Sequence, residues 1–166
     1  MNLELLPAKA EDEPFLLRLY ASTRVEEMAM VAWDKRQQDS FLRMQFNAQR
    51  SSYAMQFPNA DYRIIVQEGT AAGRLIVDRS GGEILLIDIA LLPEFRMAGI
   101  GSRLMSELMT ESVKLKKPIK LHVEKFNRAL RLYERLGFTV IGDAGIYVEM
   151  LWQPNRSASL VVNDSA

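Results

Sequence analysis

Residues 83–117 read EILLIDIALLPEFRMAGIGSRLMSELMTESVKLKK, and their pattern decides the fold. Residues 84–92 are apolar except for Asp88, which is typical of a buried strand, and a proline ends the run. Beyond Gly99 the apolar residues recur at helical spacing, at Ile100, Leu104, Leu108 and Leu115. The stretch therefore predicts a strand, a glycine loop and a helix, which together direct backbone N–H groups and the positive end of a helix dipole at one point. Such a point favours phosphate or pyrophosphate.

The composition sets the class of protein. The chain has 166 residues, of which 48% are hydrophobic and 25% charged, which indicates one ordinary globular domain. A formal net charge of +0 argues against a general nucleic-acid binder. The absence of cysteine and the single histidine exclude disulfides, a thiol nucleophile and a multi-histidine metal centre. No apolar run approaches the roughly 20 residues of a membrane span, and no signal peptide is evident. We therefore expect a cytoplasmic protein that binds neither nucleic acid nor membrane.

The remaining elements follow from periodicity and turn residues. Helices are predicted to start at Asp12, at Asp39 or Ser40, and at Asn127. Strands are predicted at residues 2–7, 63–67, 73–77, 119–123, 138–141 and 146–152. With the opening stretch, the order is β α α β β β α β α β β. This order predicts one α/β (α+β) domain over residues 1–152, with a mixed, mostly antiparallel sheet of six to seven strands flanked by about four helices. We expect the polar tail, 153–166, to be flexible.

Two motifs in this order resemble those of the GNAT superfamily of N-acetyltransferases. Residues 91–101, LLPEFRMAGIG, match the family's acyl-CoA loop, written Q/R-x-x-G-x-G/A, and residues 127–138, NRALRLYERLGF, resemble its asparagine–tyrosine–glycine–phenylalanine helix. The chain departs from the family at Met97 and Ala98, where glycine and a basic residue are frequent, and at Leu130, where a small residue is frequent. Neither departure removes a backbone donor. The resemblance covers about residues 3–152 and implies a GNAT-like fold with a splayed central pair of parallel strands.

The resemblance also implies acetyl-CoA as the cofactor. Its pantetheine arm would lie between the strand ending at Leu92 and the strand 119–123, where unpaired backbone groups can bind amides. Residues 99–104 would hold the pyrophosphate, because glycines permit its close approach. The residues implied in cofactor binding are Leu91, Leu92, Arg96, Met97, Ala98, Gly99, Ile100, Gly101, Ser102, Arg103, Leu104, Asn127 and Tyr133.

The implied reaction is direct transfer of an acetyl group from acetyl-CoA to a primary amine, since no cysteine is available for a thiol acyl-enzyme. A backbone N–H near Leu91 or Leu92 would stabilise the oxyanion. Tyr133 matches the tyrosine that protonates the leaving thiolate in many relatives; a phenol, with a pKa of about 10, stays protonated near neutrality. Structural roles remain open for three of these residues: Tyr133 in the core, Asn127 as a helix N-cap, and Arg96 in ordering its loop.

The acceptor is an unidentified amine, either a small molecule or a peptide. The resemblance places its pocket near the first two helices, and the candidates for substrate binding are Glu26, Glu27, Trp33, Asp88 and His122. Acidic residues would suit a cationic amine. The alternatives are a solvated helix face for the two glutamates, an arginine partner for Asp88 and a surface position for His122. The identity of the general base stays open, and a water relay is one answer.

Other classes fit the sequence less well. Gly99 and Gly101 suggest a dinucleotide fold, but Leu104 occupies the third glycine's place and residues 93–98 replace the tight turn of that fold. No P-loop motif is present. The remaining alternative is a non-catalytic acyl-CoA-binding regulatory module, which the presence of Tyr133 disfavours. Homodimerisation is left open.

Overall fold

The structure is a computed structural model that describes residues 1–154. Its strands are β1 (Leu3–Pro7), β2 (Asp61–Gln67), β3 (Thr70–Asp78), β4 (Ile84–Leu91), β5 (Ile119–Glu124), β6 (Thr139–Ala144) and β7 (Tyr147–Trp152). Its helices are α1 (Glu13–Ser22), α2 (Val25–Ala29), α3 (Lys35–Gln56), α4 (Ile100–Leu115) and α5 (Ala129–Arg135), with short 3-10 turns at Ala10–Asp12 and Pro93–Phe95. None of the helices within residues 1–154 has the length and apolar character that a membrane crossing requires.

The strands form one seven-stranded sheet in the order β1-β2-β3-β4-β5-β7-β6. β1 pairs antiparallel with β2, and β7 pairs antiparallel with both β5 and β6. β4 pairs parallel with β5 over three residue pairs, from Ile84↔Ile119 to Leu86↔Leu121, although β4 continues to Leu91 and β5 to Glu124. The predicted mixed sheet with a splayed central parallel pair is therefore confirmed.

The internal contacts divide the chain into two compact units. The first contains Met1–Ile76 and Asp88–Ala98, and the second contains Val77–Ile87 and the described residues from Gly99 onward. The divisions fall within β3, within β4 and directly before α4. The predicted boundary at residue 152 and the expected flexibility of the tail stay predictions, because most of the tail lies outside the described residues.

The first unit is organised around α1 and α3. Tyr20, Met28, Leu42 and Phe46 form a buried apolar cluster, in which the Tyr20 and Phe46 rings lie 5.9 Å apart. The short helix α2, which carries Met28, lies in a stretch whose apolar periodicity is too irregular to predict a helix.

The predicted start of α3 at Asp39 or Ser40 is wrong. The helix begins at Lys35, because Asp34 and Gln37 form a capping box. Asp34 Oδ1 accepts the Gln37 N–H at 2.8 Å, and Gln37 Oε1 accepts the Asp34 N–H at 3.0 Å. The first turn of the helix is polar, so apolar periodicity alone could not locate it.

The second unit contains α4, β5, α5, β6 and β7. In β5 the side chains of Ile119, Leu121 and Val123 are buried and alternate with partly or fully exposed neighbours, as predicted. In α4 the buried apolar residues are Ile100, Leu104, Met105 and Leu108. The helical spacing of the sequence therefore identified the inward face of α4 at Ile100, Leu104 and Leu108, whereas Leu115, at the end of the helix, is exposed.

A glycine controls the approach of β3 to the end of β4. A Cβ atom on Gly73 would lie 2.1 Å from the Ala90 carbonyl oxygen and 2.9 Å from Leu91 Cδ2. Both distances are below any real Cβ contact, and the nearer atom belongs to the backbone. An alanine here must therefore push β4 away at Ala90 and Leu91.

We expect Gly73→Ala to lower the free energy of unfolding by about 1–3 kcal/mol, the usual effect of overpacking a fitted position. Urea titration followed by circular dichroism measures the change. Gly82→Ala is the matched control, because a Cβ there meets no atom within 4 Å. Equal losses in the two variants would contradict the close approach of β3 and β4.

Candidate functional site

At the end of β4, in the first unit, the N–H and the C=O of one peptide form hydrogen bonds on opposite sides of the strand. The Leu92 N–H donates to the Ala72 carbonyl of β3 at 2.9 Å. Because the peptide is trans and planar, the Leu91 carbonyl in the same peptide points the opposite way. That carbonyl accepts a hydrogen bond from Arg96 Nε at 3.0 Å. The contact agrees with the loop-ordering alternative for Arg96.

Only one of the two predicted oxyanion donors is available. The Leu92 N–H is bound to Ala72, so it cannot serve. Leu91 is extended, and in an extended residue the N–H and C=O point to the same edge of the strand. The Leu91 N–H therefore lies on the edge of β4 that faces away from β3.

The loop after β4 ends the first unit in a strained conformation. Phe95 N–H closes a 3-10 turn on the Leu92 carbonyl at 2.9 Å. Met97 has a φ of 63° and a side chain that is 99% exposed. A non-glycine residue with positive φ is uncommon, and such strain is often found at binding loops. Ala98 is also exposed.

The start of α4 belongs to the second unit and presents free backbone donors. Gly99 is its N-cap with a φ of 84°, and a Cβ on Gly99 would meet nothing within 4 Å. The first hydrogen bond of the helix runs from the Arg103 N–H to the Gly99 carbonyl at 3.0 Å. The N–H groups of Ile100, Gly101 and Ser102 precede that bond and have no carbonyl partner within the helix. The N-terminus of this 16-residue helix thus presents free backbone donors that are suited to an anion.

Helix α5 carries Tyr133 next to this donor set. A Cβ on Gly101 would lie 3.9 Å from Leu132 Cδ2, so the first turn of α4 contacts α5. Tyr133 is 5% exposed, and its ring lies 5.7 Å from the Phe138 ring. The side chain therefore packs in the core, which is compatible with a chemical role for its hydroxyl end.

Asn127 makes the hydrogen bond expected of a capping residue. Its Oδ1 accepts the Ala129 N–H at 2.9 Å, and its carbonyl accepts the Leu130 N–H at 3.1 Å. The helix itself begins at Ala129 with Arg128 as the formal N-cap, which gives no side-chain cap. The capping alternative for Asn127 thus has direct support.

Asp88 lies in a polar network inside the first unit. Arg74 of β3 is buried, and both its Nε, at 2.9 Å, and its Nη2 donate to Asp88 Oδ2. Arg74 Nη2 also donates to Gln49 Oε1 of α3 at 3.1 Å. Burial raises the pKa of Tyr62, and the charge of Arg74 acts in the opposite direction. The Asp88 carboxylate is 24% exposed and its Oδ1 has no hydrogen-bond partner among residues 1–154.

The candidate acceptor residues of α2 and the following loop lie in different surroundings. Glu27 pairs with Arg24 at 3.0 Å, and Glu26 is exposed. Trp33 instead lines an open hollow of about 470 Å³ at the start of α3, which contains a basic residue, Arg36, and no acidic one. Trp33 stays a candidate, in different surroundings from those expected.

His122 is exposed on β5, directly opposite Glu149 of β7. A hydrogen bond from Lys120 lowers the pKa of Glu149, and the nearby His122 contributes in the same direction. These contacts form a charged row on the sheet surface, which matches the surface alternative for this histidine. Within the part of the chain that the structure describes, no group of three or more His, Cys, Asp or Glu side chains could hold a metal.

Sequence reasoning missed Arg74 and Gln49, the residues that hold Asp88. A signal was present, because Arg74 is the lone charge in the apolar run 71–77 and Asp88 is the lone charge in 84–92. Two opposite, isolated charges in neighbouring apolar strands predict a pair. Arg36 and Phe41, which share the hollow with Trp33, carry no comparable signal.

Comparisons with known proteins agree with this geometry. A family model described as "Acetyltransferase (GNAT) domain" matches residues 58–140. Among solved structures, a PaiA N-acetyltransferase from Thermoplasma acidophilum in complex with coenzyme A superposes with a TM-score of 0.69 at 18% identity, over 92% of this chain and 99% of that one. The N-acetyltransferase PseH of Campylobacter jejuni in complex with acetyl coenzyme A superposes with a TM-score of 0.55 at 18% identity, over 92% of this chain and 99% of that one. A ribosomal L7/L12 alpha-N-protein acetyltransferase in complex with coenzyme A has a TM-score of 0.63 at 17% identity, over 92% of this chain and 94% of that one. At these identities the likeness concerns the fold. A search of curated proteins finds no match.

We expect Asn127→Ala to lower the free energy of unfolding by about 1 kcal/mol, because the Ala129 N–H loses its acceptor. Asn127→Asp keeps a side-chain oxygen at the same position and should keep most of the stability. Chemical denaturation of the three proteins measures the difference. If Asn127→Ala is as stable as the wild type, the cap is not a structural role of this residue.

Proposed function

The chain belongs to the GNAT family of acetyltransferases and is an acetyl-CoA-dependent acyltransferase, and we propose that it transfers the acetyl group directly to a primary amine. The observation that carries the choice of an amine is the Asp88 carboxylate. Its Oδ2 is held by the buried Arg74, while Oδ1 has no hydrogen-bond partner among residues 1–154 and the side chain is partly exposed. Because the family is one of enzymes, the non-catalytic module is set aside.

The residues at the start of α4 fit the phosphate groups of acetyl-CoA. An anion needs free donors and space: the N–H groups of Ile100, Gly101 and Ser102 precede the first helical hydrogen bond, and a Cβ on Gly99 would meet no atom within 4 Å. When bound, acetyl-CoA supplies an acetyl group activated as a thioester. We assign its pyrophosphate to residues 99–104 and further contacts to Arg96 and Asn127, alongside the loop-ordering and capping contacts that these two residues already make.

The Leu91 N–H is assigned to the acetyl carbonyl oxygen. It is the one of the two predicted donors that β3 does not engage, and the contact of Arg96 with the Leu91 carbonyl orders the next peptide, Leu91–Leu92. A preorganised donor aimed at an oxygen that gains negative charge typically contributes about 3–4 kcal/mol to acyl transfer. The close approach of Gly73 to Ala90 and Leu91 keeps this donor in place.

We assign Tyr133 Oη as the donor of the proton that the leaving sulfur takes. The packing of its ring against Phe138 fixes the direction of the hydroxyl. A positioned general acid typically contributes a factor of about 10² to 10⁴ in rate.

We assign Asp88 to bind the ammonium group of the acceptor. Arg74 holds the carboxylate through one oxygen and is itself fixed by Gln49, so the second oxygen has a defined position. One of the structural relatives is named as an acetyltransferase of a protein α-amine, which supports a peptide amine as a candidate acceptor here. Water takes the ammonium proton to solvent, which leaves the neutral amine with the lone pair that forms the new C–N bond.

The cofactor assignment is tested by the thermal midpoint of the protein with acetyl-CoA, CoA and NADH in parallel. A ligand at about 100 times its dissociation constant adds roughly 2.7 kcal/mol of stability, which is readily visible as a rise of several degrees. We expect a rise with the two CoA species alone. A rise with NADH alone, or with none of the three, would overturn the assignment.

We expect Tyr133→Phe to lower kcat about 100-fold or more with little change in the acetyl-CoA-dependent thermal shift, because only the proton donor is lost. CoA release, followed with a thiol reagent, measures the rate on a panel of amines. Tyr147→Phe, at an exposed tyrosine of β7, is the matched control and should keep the wild-type rate. A Tyr133→Phe enzyme of normal kcat would restrict this residue to the core.

We expect Asp88→Asn to lower kcat/KM for the amine at least tenfold while the KM for acetyl-CoA changes little, because the ammonium loses its counter-charge. The variant should also lose about 1–3 kcal/mol of stability, since Arg74 stays buried with a weaker partner. Assays are therefore run well below the thermal midpoint of the variant. A parallel fall in kcat/KM for the amine and for acetyl-CoA would point to misfolding, and an unchanged amine kcat/KM would remove Asp88 from the site.

A further inference from the structure

The hollow at the start of α3 has a donor-rich lining. It is formed by Trp33, Arg36, Gln37, Ser40 and Phe41. Trp33 is 40% exposed, and its ring meets the Phe41 ring edge to face at 5.0 Å. These two rings provide an apolar wall, and the remaining three side chains provide polar atoms.

The free polar atoms of this hollow are mostly hydrogen-bond donors. The Arg36 guanidinium, the Trp33 indole N–H and the Ser40 hydroxyl have no hydrogen-bond or ion-pair partner within residues 1–154. Gln37 is engaged with Asp34 in the capping box, where the Gln37 N–H donates to Asp34 Oδ1 and Gln37 Oε1 accepts the Asp34 N–H. A guanidinium beside an indole N–H and a hydroxyl selects an acidic group.

The loop that carries Trp33 is held in place before any ligand binds. Gln38 Nε2 donates to the Trp33 carbonyl at 3.2 Å and to the Met28 carbonyl at 3.4 Å. A lining that is already ordered loses little conformational entropy on binding. The hollow is therefore a built concavity, unlike an isolated surface arginine.

The distance along α3 connects this hollow to the proposed acceptor site. Arg36 and Gln49 are thirteen positions apart on the same helix, which corresponds to about 20 Å at 1.5 Å per residue. Gln49 contacts Arg74, which holds Asp88, so all four residues belong to the first unit. A small amine does not reach across 20 Å, whereas an extended peptide spans this axial distance in about six residues, which is the minimum because Arg36 and Gln49 lie on different faces of the helix.

We propose that this hollow binds an acidic side chain of a peptide acceptor, about six residues from the amine that is acetylated. The inference rests on the proposed function, which places the reacting amine at Asp88. The choice of an acidic group rests on the lining of the hollow alone. It assigns Arg36 to substrate specificity and gives Trp33 a role in binding the acceptor.

Binding is tested without catalysis through the fluorescence of Trp33. The chain has two tryptophans, and the other, Trp152, is only 6% exposed, so a ligand in the hollow reports mainly through Trp33. The probes are two twelve-residue peptides without aromatic residues, each with a free α-amine, which differ only in three Glu or three Gln residues at positions 6–8. We expect a saturable change with the Glu peptide and at least tenfold weaker binding of the Gln peptide at low salt.

Arg36→Gln should reduce binding of the Glu peptide to the level of the Gln peptide, and Trp33→Phe should remove the signal. Arg43→Gln is the matched control, because Arg43 is an exposed arginine of α3 outside the hollow, and its variant should keep the preference. Equal binding of both peptides by the wild type, or a preference that survives in Arg36→Gln, would overturn the proposal.

Acetylation of the same peptides tests the assignment as an acceptor subsite. We expect kcat/KM to favour the Glu peptide by the same factor in the wild type and to lose that factor in Arg36→Gln. Selective binding with no acetylation of either peptide would overturn the subsite. Failure of the proposed function is recognised separately, by the absence of a thermal shift with acetyl-CoA.

Discussion

Backbone hydrogen bonding at the end of β4 is the constraint on which the site depends. A buried N–H or C=O must find a partner, and each group of the Leu91–Leu92 peptide has one: Ala72 for the N–H and Arg96 for the carbonyl. This arrangement requires β3 to approach closely, which only a glycine at position 73 allows. The parallel pairing of β4 ends at Leu86, so the strand retains backbone groups that its sheet neighbours do not fully use. A fold that leaves such groups available has a natural place for an amide-rich ligand.

A second constraint is electrostatic. Arg74 is buried, and a buried guanidinium without a partner is strongly unfavourable, so Asp88 and Gln49 are needed to hold it. Replacing such a pair by apolar residues is often neutral or stabilising, so stability alone does not account for its presence. A carboxylate with one oxygen fixed and the other accessible accounts for it better. The pair holds an oriented carboxylate within β4, whose other residues are apolar.

Much of the fold could be predicted from the sequence, because burial imposes period 2 on β5 and helical spacing on α4. The capping box at Asp34 was overlooked because no apolar residue marks the first turn of α3. The order of the strands and the splay came with the resemblance of two motifs and could not be derived from periodicity. For the site, Asp88 and Arg74 were visible as lone charges in two apolar runs, but the contact of Arg74 with Gln49 depends on the packing of α3, which no local pattern encodes. The hollow depends on the conformation of the Trp33 loop, which a Gln38 side chain fixes from the next element.

The two charged features of the first unit have opposite signs and are carried or supported by one helix. Near Gln49, α3 supports a network that ends in the Asp88 carboxylate, and near its start it presents the Arg36 guanidinium. A ligand that satisfied both would need a positive and a negative group at least as far apart as the axial separation of Arg36 and Gln49, about 20 Å at 1.5 Å per residue. The expectation from the sequence, an acidic pocket for a cationic amine, considered only one of these signs. A peptide that begins with an ammonium group and carries an acid several residues later satisfies both, and this joint requirement is more selective than either charge alone.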